Sequence, residues 1–213
     1  MNDFVPPGLG ETWLNLVQKT VQSGTPLKDE GLELLGVRVD FPAVTDGDEV
    51  LMRFGDHRMI EAMDRVFFGG GDTGLGHSYA RLLRGPEGRS DLSDVIALLR
   101  AEPESKRAVV TFCGEGGGRV PCVNVVEFLV RAGALQTLYF ARGQDAYKKF
   151  YADALCLAKM ARRVAAGVGC PAGMVTGFIG SSHVYHADQT AITEFLARAQ
   201  WFLQRPVRSP QPA

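Results

Sequence analysis

Cys122 follows Pro121 at the head of an apolar run, residues 122–130, directly after a glycine-rich stretch (114–118) and Arg119. A thiol at a strand entrance beside a loop and a cation is placed to lose its proton and add to an electrophilic carbon. The plainer reading is a strand cysteine used as a small hydrophobe, the commoner role of a lone cysteine. Asp153 is the second anomaly, because it shares a helix face with Phe150, Ala154, Leu157, Ala161 and Val164. A carboxylate there points toward the core, which is costly unless a structural partner such as Arg142, or a polar ligand, satisfies it. Arg142 ends an apolar run (135–140), and Lys106 and Arg107 precede another (108–113). Together the three could clamp a phosphate, or each could be a solvated charge at a strand end. His183 and Tyr185 flank Val184, so both side chains face one way and suit either hydroxyl recognition or a satisfied core pair.

The elements that must position these groups follow from periodicity. Residues 11–23 predict a helix closed by Gly24, residues 32–41 a strand, and residues 59–68 a helix stopped by Gly69-Gly70-Gly71. Ser90 and Asp91 are caps for a helix through Ala101. Three β-rich runs (108–113, 122–130 and 135–140) come next, the last two joined by an Arg131-Ala132-Gly133-Ala134 hairpin turn. A long helix (146–166), a strand (174–185) and a helix ending near Leu203 complete the chain. The pattern predicts one α+β domain over residues 1–204 built on one large sheet, with a frayed, proline-rich tail over 205–213.

With 213 residues, 46% hydrophobic and 22% charged, the chain can bury a full core. A net charge of −1 excludes a general nucleic-acid binder, so any anion must be held by a local cluster. No apolar run is long enough to span a membrane, and the N-terminus has no basic then apolar leader, so the expected setting is cytoplasmic. The four cysteines form no C-x-x-C pair, and His57, His77, His183 and His186 show no metal-ligand spacing, so reduced thiols and no dedicated metal site are expected. The stretches 69–76 and 114–118 resemble phosphate loops only in composition and read as ordinary loops.

From Lys106 to Tyr185 the sequence resembles the folate-dependent thymidylate synthase superfamily, which includes the pyrimidine-nucleotide hydroxymethylases. The matching pieces are SKRAVVTF (105–112), VPCVN (120–124), RGQD (142–145), FYAD (150–153) and GSSHVY (180–185), with weaker ones at GDTG (71–74) and LGHSYARLLR (75–84). The resemblance implies a mostly antiparallel or mixed sheet flanked by helices and packed at a two-fold dimer interface. It implies that Cys122 is the nucleophile that adds to pyrimidine C6, turning C5 into a carbon nucleophile. Arg142 matches the phosphate arginine, with Lys106 and Arg107 reaching the phosphate from the opposite subunit. Asp145 of the RGQD piece falls among the substrate-binding positions, His183 and Tyr185 match sugar-hydroxyl contacts, and Tyr79 matches a proton-transfer tyrosine. The acidic residue that assists folate chemistry corresponds to Asp64, or to Glu61 with a shift.

Asp153 stands where thymidylate synthases carry a uracil-reading asparagine, and resembles the aspartate of cytosine-specific hydroxymethylases. A carboxyl accepts from the cytosine 4-amino group and, if protonated, also donates to N3. Other departures are Val123 for a histidine, Gly143 for a serine, and Pro26-Leu27-Lys28-Asp29-Glu30-Gly31 for an arginine-glycine phosphate loop. A Trp-bearing segment between the GDTG and LGHSYAR pieces is missing, as is the usual C-terminal folate-closing tail. The expectation is a homodimer that hydroxymethylates C5 of a cytosine nucleoside monophosphate, CMP or dCMP, with 5,10-methylenetetrahydrofolate as one-carbon donor. The alternatives are thymidylate synthase-like methylation of dUMP, folate-independent chemistry through the same C6 addition, and a nucleotide-binding dimer without catalysis.

Overall fold

A computed structural model describes residues 7–28, 30–69, 78–83, 91–112 and 120–204. In chain order the elements are α1 (Leu9–Ser23), β1 (Thr25–Leu27), β2 (Gly31–Pro42), α2 (Glu49–Phe54) and α3 (His57–Asp64), which runs into a π-helical turn, Arg65–Gly69. There follow α4 (Tyr79–Leu82), α5 (Asp91–Ala101), β3 (Val109–Thr111), β4 (Val123–Arg131), β5 (Ala134–Asp145), α6 (Phe150–Val168), β6 (Ala172–Tyr185) and α7 (Gln189–Leu203). The expected hairpin turn joins β4 to β5, with Ala132 at φ 51° and Gly133 at φ 78°, the consecutive left-handed pair of a two-residue hairpin.

The six strands form one mixed sheet in the order β1-β2-β6-β5-β4-β3. Every neighbouring pair is antiparallel except β5 and β6, which run parallel because α6 carries the chain back between them. One face is buried under helices: α6 lies on β5 and β6, and α1 on β2. Toward it point Val37, Val39, Phe41, Val126, Phe128, Leu135, Tyr139, Val175 and Ile179. Phe140 and Phe178, adjacent in register, point the other way and are each 44% exposed, so the opposite face carries apolar surface uncovered in one chain.

Besides a register shift between Leu135 and Thr137 in the β5–β6 ladder, pairing is interrupted along a row that crosses the sheet. The β2–β6 ladder skips from Leu35 to Val37, the β5–β6 ladder skips from Ala141 to Gly143, and the β4–β5 register shifts between Val123 and Val125. Gly36 in that row takes φ +64°, a conformation other residues adopt only at a cost. The site residues at the ends of β4, β5 and β6 all lie at or beyond this break.

The sequence-derived helix at 146–166 begins later, at Phe150. Asp145 Oδ1 accepts from the Tyr147 and Lys148 backbone N–H groups at 3.0 and 2.9 Å, which holds the chain as a turn before α6. The same aspartate closes a β5 that extends five residues past the expected end at Phe140. The short β1 and α2 lack a sequence period and were not anticipated. Residues 1–6, 29, 70–77, 84–90, 113–119 and 205–213 lie outside the described residues, and with them most of the glycine-rich stretches, the Ser90 cap, Cys113 and the expected frayed tail.

Tyr139 explains Gly177. A Cβ at Gly177 would collide with the Tyr139 ring, which is itself buried. Gly177→Ala is expected to destabilise the protein by about 1–3 kcal/mol through overpacking, read as a lower midpoint in urea unfolding.

Candidate active site

The entrance of β4 is fixed by backbone hydrogen bonds. The Cys122 carbonyl accepts from Arg142 N at 2.9 Å, and Val123 N donates to the Tyr79 hydroxyl at 3.0 Å. The Arg142 guanidinium holds the preceding residues, donating to Val120 O at 3.0 and 2.8 Å and to Pro121 O at 3.2 Å. These bonds leave part of its five-donor fork for a ligand. Cys122 itself is half-buried.

Tyr79 is buried between Phe67, stacked at 4.1 Å, and the edge-on Phe112 at 4.8 Å. Burial, reinforced by the charge of Asp153, pushes its phenol far above the ordinary tyrosine range, so it remains protonated. Because it accepts from Val123, it keeps its own proton to donate. Asp153, Cys122 and Arg142 are all within its electrostatic reach.

Asp153 is 1% exposed, as the helix face predicts. Its partner is not Arg142, whose fork is turned to the β4 entrance. Lys149 Nζ reaches the two carboxylate oxygens at 2.7 and 2.6 Å, and Gln144 Nε2 donates to one of them at 3.0 Å. Burial opposes the Lys149 charge, but the adjacent carboxylate outweighs it and raises the ammonium's pKa. Cys122 is within electrostatic reach of that ammonium. Sequence reasoning overlooked Lys149 and Gln144, although Lys149 stands at the i,i+4 spacing of an ion pair with Asp153.

His183 and Tyr185 do share a face, with the Tyr185 hydroxyl 3.3 Å from His183 Nε2. Both line a cavity of about 220 Å³ with Arg142, Gly143 and Ser181 on one side and Glu30, Gly31 and Glu33 on the other. Glu33 accepts from the Ser181 hydroxyl at 2.5 Å. The cavity lining thus sets one guanidinium against two carboxylates, a feature the sequence reading did not foresee. Asp145 is next to it, with burial raising its pKa against the lowering effect of the Lys148 N–H. A group whose folded-state value is raised weakens the fold at neutral pH and stops doing so once both states are protonated. Asp145→Asn, which keeps the accepting oxygen, is therefore expected to hold or slightly raise the melting temperature at pH 7. The difference should close as the pH falls through the folded-state value toward about 3.9.

One expectation needs correction. Lys106 and Arg107 cannot clamp a phosphate with Arg142 of their own chain. Ala108 lies opposite Phe128, near the β4–β5 turn, whereas Arg142 is at the far end of β5. The register places Arg107 level with Gln136, six residues from Arg142, roughly 20 Å along the strand at about 3.3 Å per residue. Both are exposed, and Arg107 pairs with Glu102 at 2.6 Å. Asp64 is half-exposed and bound to Lys159 at 2.5 Å on the outer side of α6, within electrostatic reach of Cys156 but a helical turn beyond Asp153. Among the described residues no group of three or more His, Cys, Asp or Glu side chains could hold a metal, and no helix is long and apolar enough to cross a membrane.

The structure is thus an α+β domain on a mixed six-stranded sheet, with Cys122 at the entrance of β4, Arg142 near the end of β5 and a buried acid, Asp153, on α6. Residues 63–207 match the thymidylate synthase family, and the chain belongs to that family. Among its curated relatives, a protein of Methanothermobacter thermautotrophicus is 27% identical over 203 residues, covering 84% of this chain and 91% of the relative. One of Methanothermobacter marburgensis is 28% identical with the same coverage, and one of Methanosarcina barkeri is 28% identical over 140 residues, 63% of this chain and 64% of the relative. Each bears the name "Putative thymidylate synthase".

Proposed function

We propose that this protein transfers a one-carbon unit to C5 of a cytosine nucleoside monophosphate, CMP or dCMP, leaving a hydroxymethyl group. The observation that carries this reading is the buried Asp153 carboxylate within electrostatic reach of the tyrosine that binds the backbone next to Cys122. Cys122 sulfur forms a bond to C6, and the electrons of the C5=C6 bond move to C5. C5 then attacks the one-carbon electrophile, the C5 proton leaves, a water supplies the hydroxyl oxygen as the donor departs, and expulsion of the sulfur restores the C5=C6 bond. Arg142, His183, Tyr185 and Asp145 hold phosphate and sugar, and Tyr79 relays a proton beside the reacting ring.

Thymidylate synthases take the one-carbon unit from methylenetetrahydrofolate, and the same donor is part of this proposal. Of the two acids the resemblance assigns to it, Asp64 or Glu61, Asp64 is paired with Lys159 in an exposed ion pair. The residue chemistry extends only as far as the C5 nucleophile. A phosphate dianion beside Glu30 and Glu33 also needs more positive charge than Arg142 supplies. Lys106 and Arg107 of a two-fold partner would provide it, with the Phe140 and Phe178 face as the buried contact. Phe140→Asp with Phe178→Asp is expected to yield monomers in analytical ultracentrifugation that bind CMP at least tenfold more weakly.

A second reading, methylation of a uracil nucleotide, draws support from the names of the relatives. Mass measurement after incubation with 5-fluorinated CMP or dCMP, and separately with 5-fluoro-dUMP, decides between them. A covalent adduct with the cytosine compounds that gains further mass only with methylenetetrahydrofolate supports hydroxymethylation. An adduct confined to 5-fluoro-dUMP favours the second reading, and the absence of any adduct defeats both.

A further inference from the structure

Asp153 does not meet a bound base alone. Its carboxylate holds the Lys149 ammonium through both oxygens at 2.7 and 2.6 Å and takes a third bond from Gln144 at 3.0 Å. With three hydrogen bonds already arriving at its oxygens, Asp153 meets a base as an acceptor. The pair as a whole is different. An ammonium has three N–H donors and a carboxylate about four acceptor positions, so after these contacts the pair still presents one donor and one acceptor. Lys149 is also the more accessible partner, with its side chain 18% exposed against 2% for Asp153.

We propose that Lys149 and Asp153 read the pyrimidine edge jointly, Lys149 donating to N3 while Asp153 accepts from the 4-amino group. The edge of cytosine presents an acceptor at N3 and a donor at N4; uracil presents the reverse order, so Lys149 is the element that rejects N3–H. Its role extends to the reaction. As the Cys122 sulfur bonds to C6, electron density moves through C5 and C4 onto N3, and an N–H donor aimed there is strengthened as charge develops. No net proton transfer is needed, because the pair of electrons returns when the sulfur leaves. This inference rests on the nucleotide reading above.

The test is a calorimetric titration of CMP, dCMP, UMP and dUMP against the wild type, Asp153→Asn, Lys149→Arg and the double variant Lys149→Met/Asp153→Asn. The wild type is expected to bind a cytosine nucleotide at least tenfold more tightly than its uracil counterpart. Asp153→Asn retains the Lys149 donor, so the ratio should fall toward unity without inverting. The double variant leaves only an amide and should prefer uracil by about tenfold. Lys149→Arg keeps the charge and the fold but moves the donor, and should reduce the cytosine preference at least tenfold. If Lys149 is only a counter-ion, the double variant will match Asp153→Asn and Lys149→Arg will match the wild type; either match overturns the proposal, as does a wild-type preference for uracil. Failure of the wild type to bind any of the four nucleotides instead defeats the nucleotide reading, and this inference falls with it.

Discussion

Cys122→Ser is expected to abolish the covalent adduct with a fluorinated cytosine nucleotide and to lower turnover on the order of 10⁴-fold, as loss of a covalent catalyst does, while the melting temperature scarcely moves. The two expectations separate because what fixes this residue is its backbone. Its carbonyl takes the Arg142 N–H, and the next residue's N–H reaches Tyr79. Neither bond changes when sulfur becomes oxygen. The measurements are intact-protein mass and a thermal melt on the same sample. A variant that retains the adduct removes Cys122 from the reaction.

Asp153→Ala has the largest expected effect on stability. It strips the counter-charge from Lys149 and leaves an ammonium in a mostly buried position without the two hydrogen bonds it made to the carboxylate. Breaking a buried pair from one side costs about 3–5 kcal/mol, which for a chain of this size lowers the melting temperature by roughly 6–20 °C. The raised Lys149 pKa gives this contribution a pH signature. It is complete below the unfolded-state value of about 10.4 and disappears as the pH climbs through the folded-state value. Melting curves of the wild type and variant should therefore differ most at neutral pH and converge in strong alkali. A gap that is already absent at pH 7 would show that the ion pair contributes nothing to the fold.

How much of this was legible in sequence differs from residue to residue. The inward direction of Asp153 followed from its place on the apolar stripe of α6, because helical period alone decides which side chains share a face. The common face of His183 and Tyr185 followed from strand alternation in the same way. The β4–β5 turn was legible because a Gly at a left-handed position is a local requirement. Arg142 was legible as a residue near the thiol only through the family resemblance, since nothing local joins the end of β5 to the entrance of β4.

Local pattern thus determined the elements, the faces and the candidate chemistry: a thiol at a strand entrance, an acid turned inward, cations at strand ends. Only the tertiary structure decided the partners. Strand order and register placed Lys106 and Arg107 far from Arg142, brought Glu30 and Glu33 against it, and let Tyr79 reach across from α4 to hold the backbone beside Cys122. Lys149 is the instructive case: its spacing from Asp153 is written in the sequence, but its value as a partner depends on burial. An i,i+4 pair in solvent is worth a few tenths of a kcal/mol and signals little; here the Asp153 side chain is almost fully buried and Lys149 mostly so, which makes the same pair costly to break.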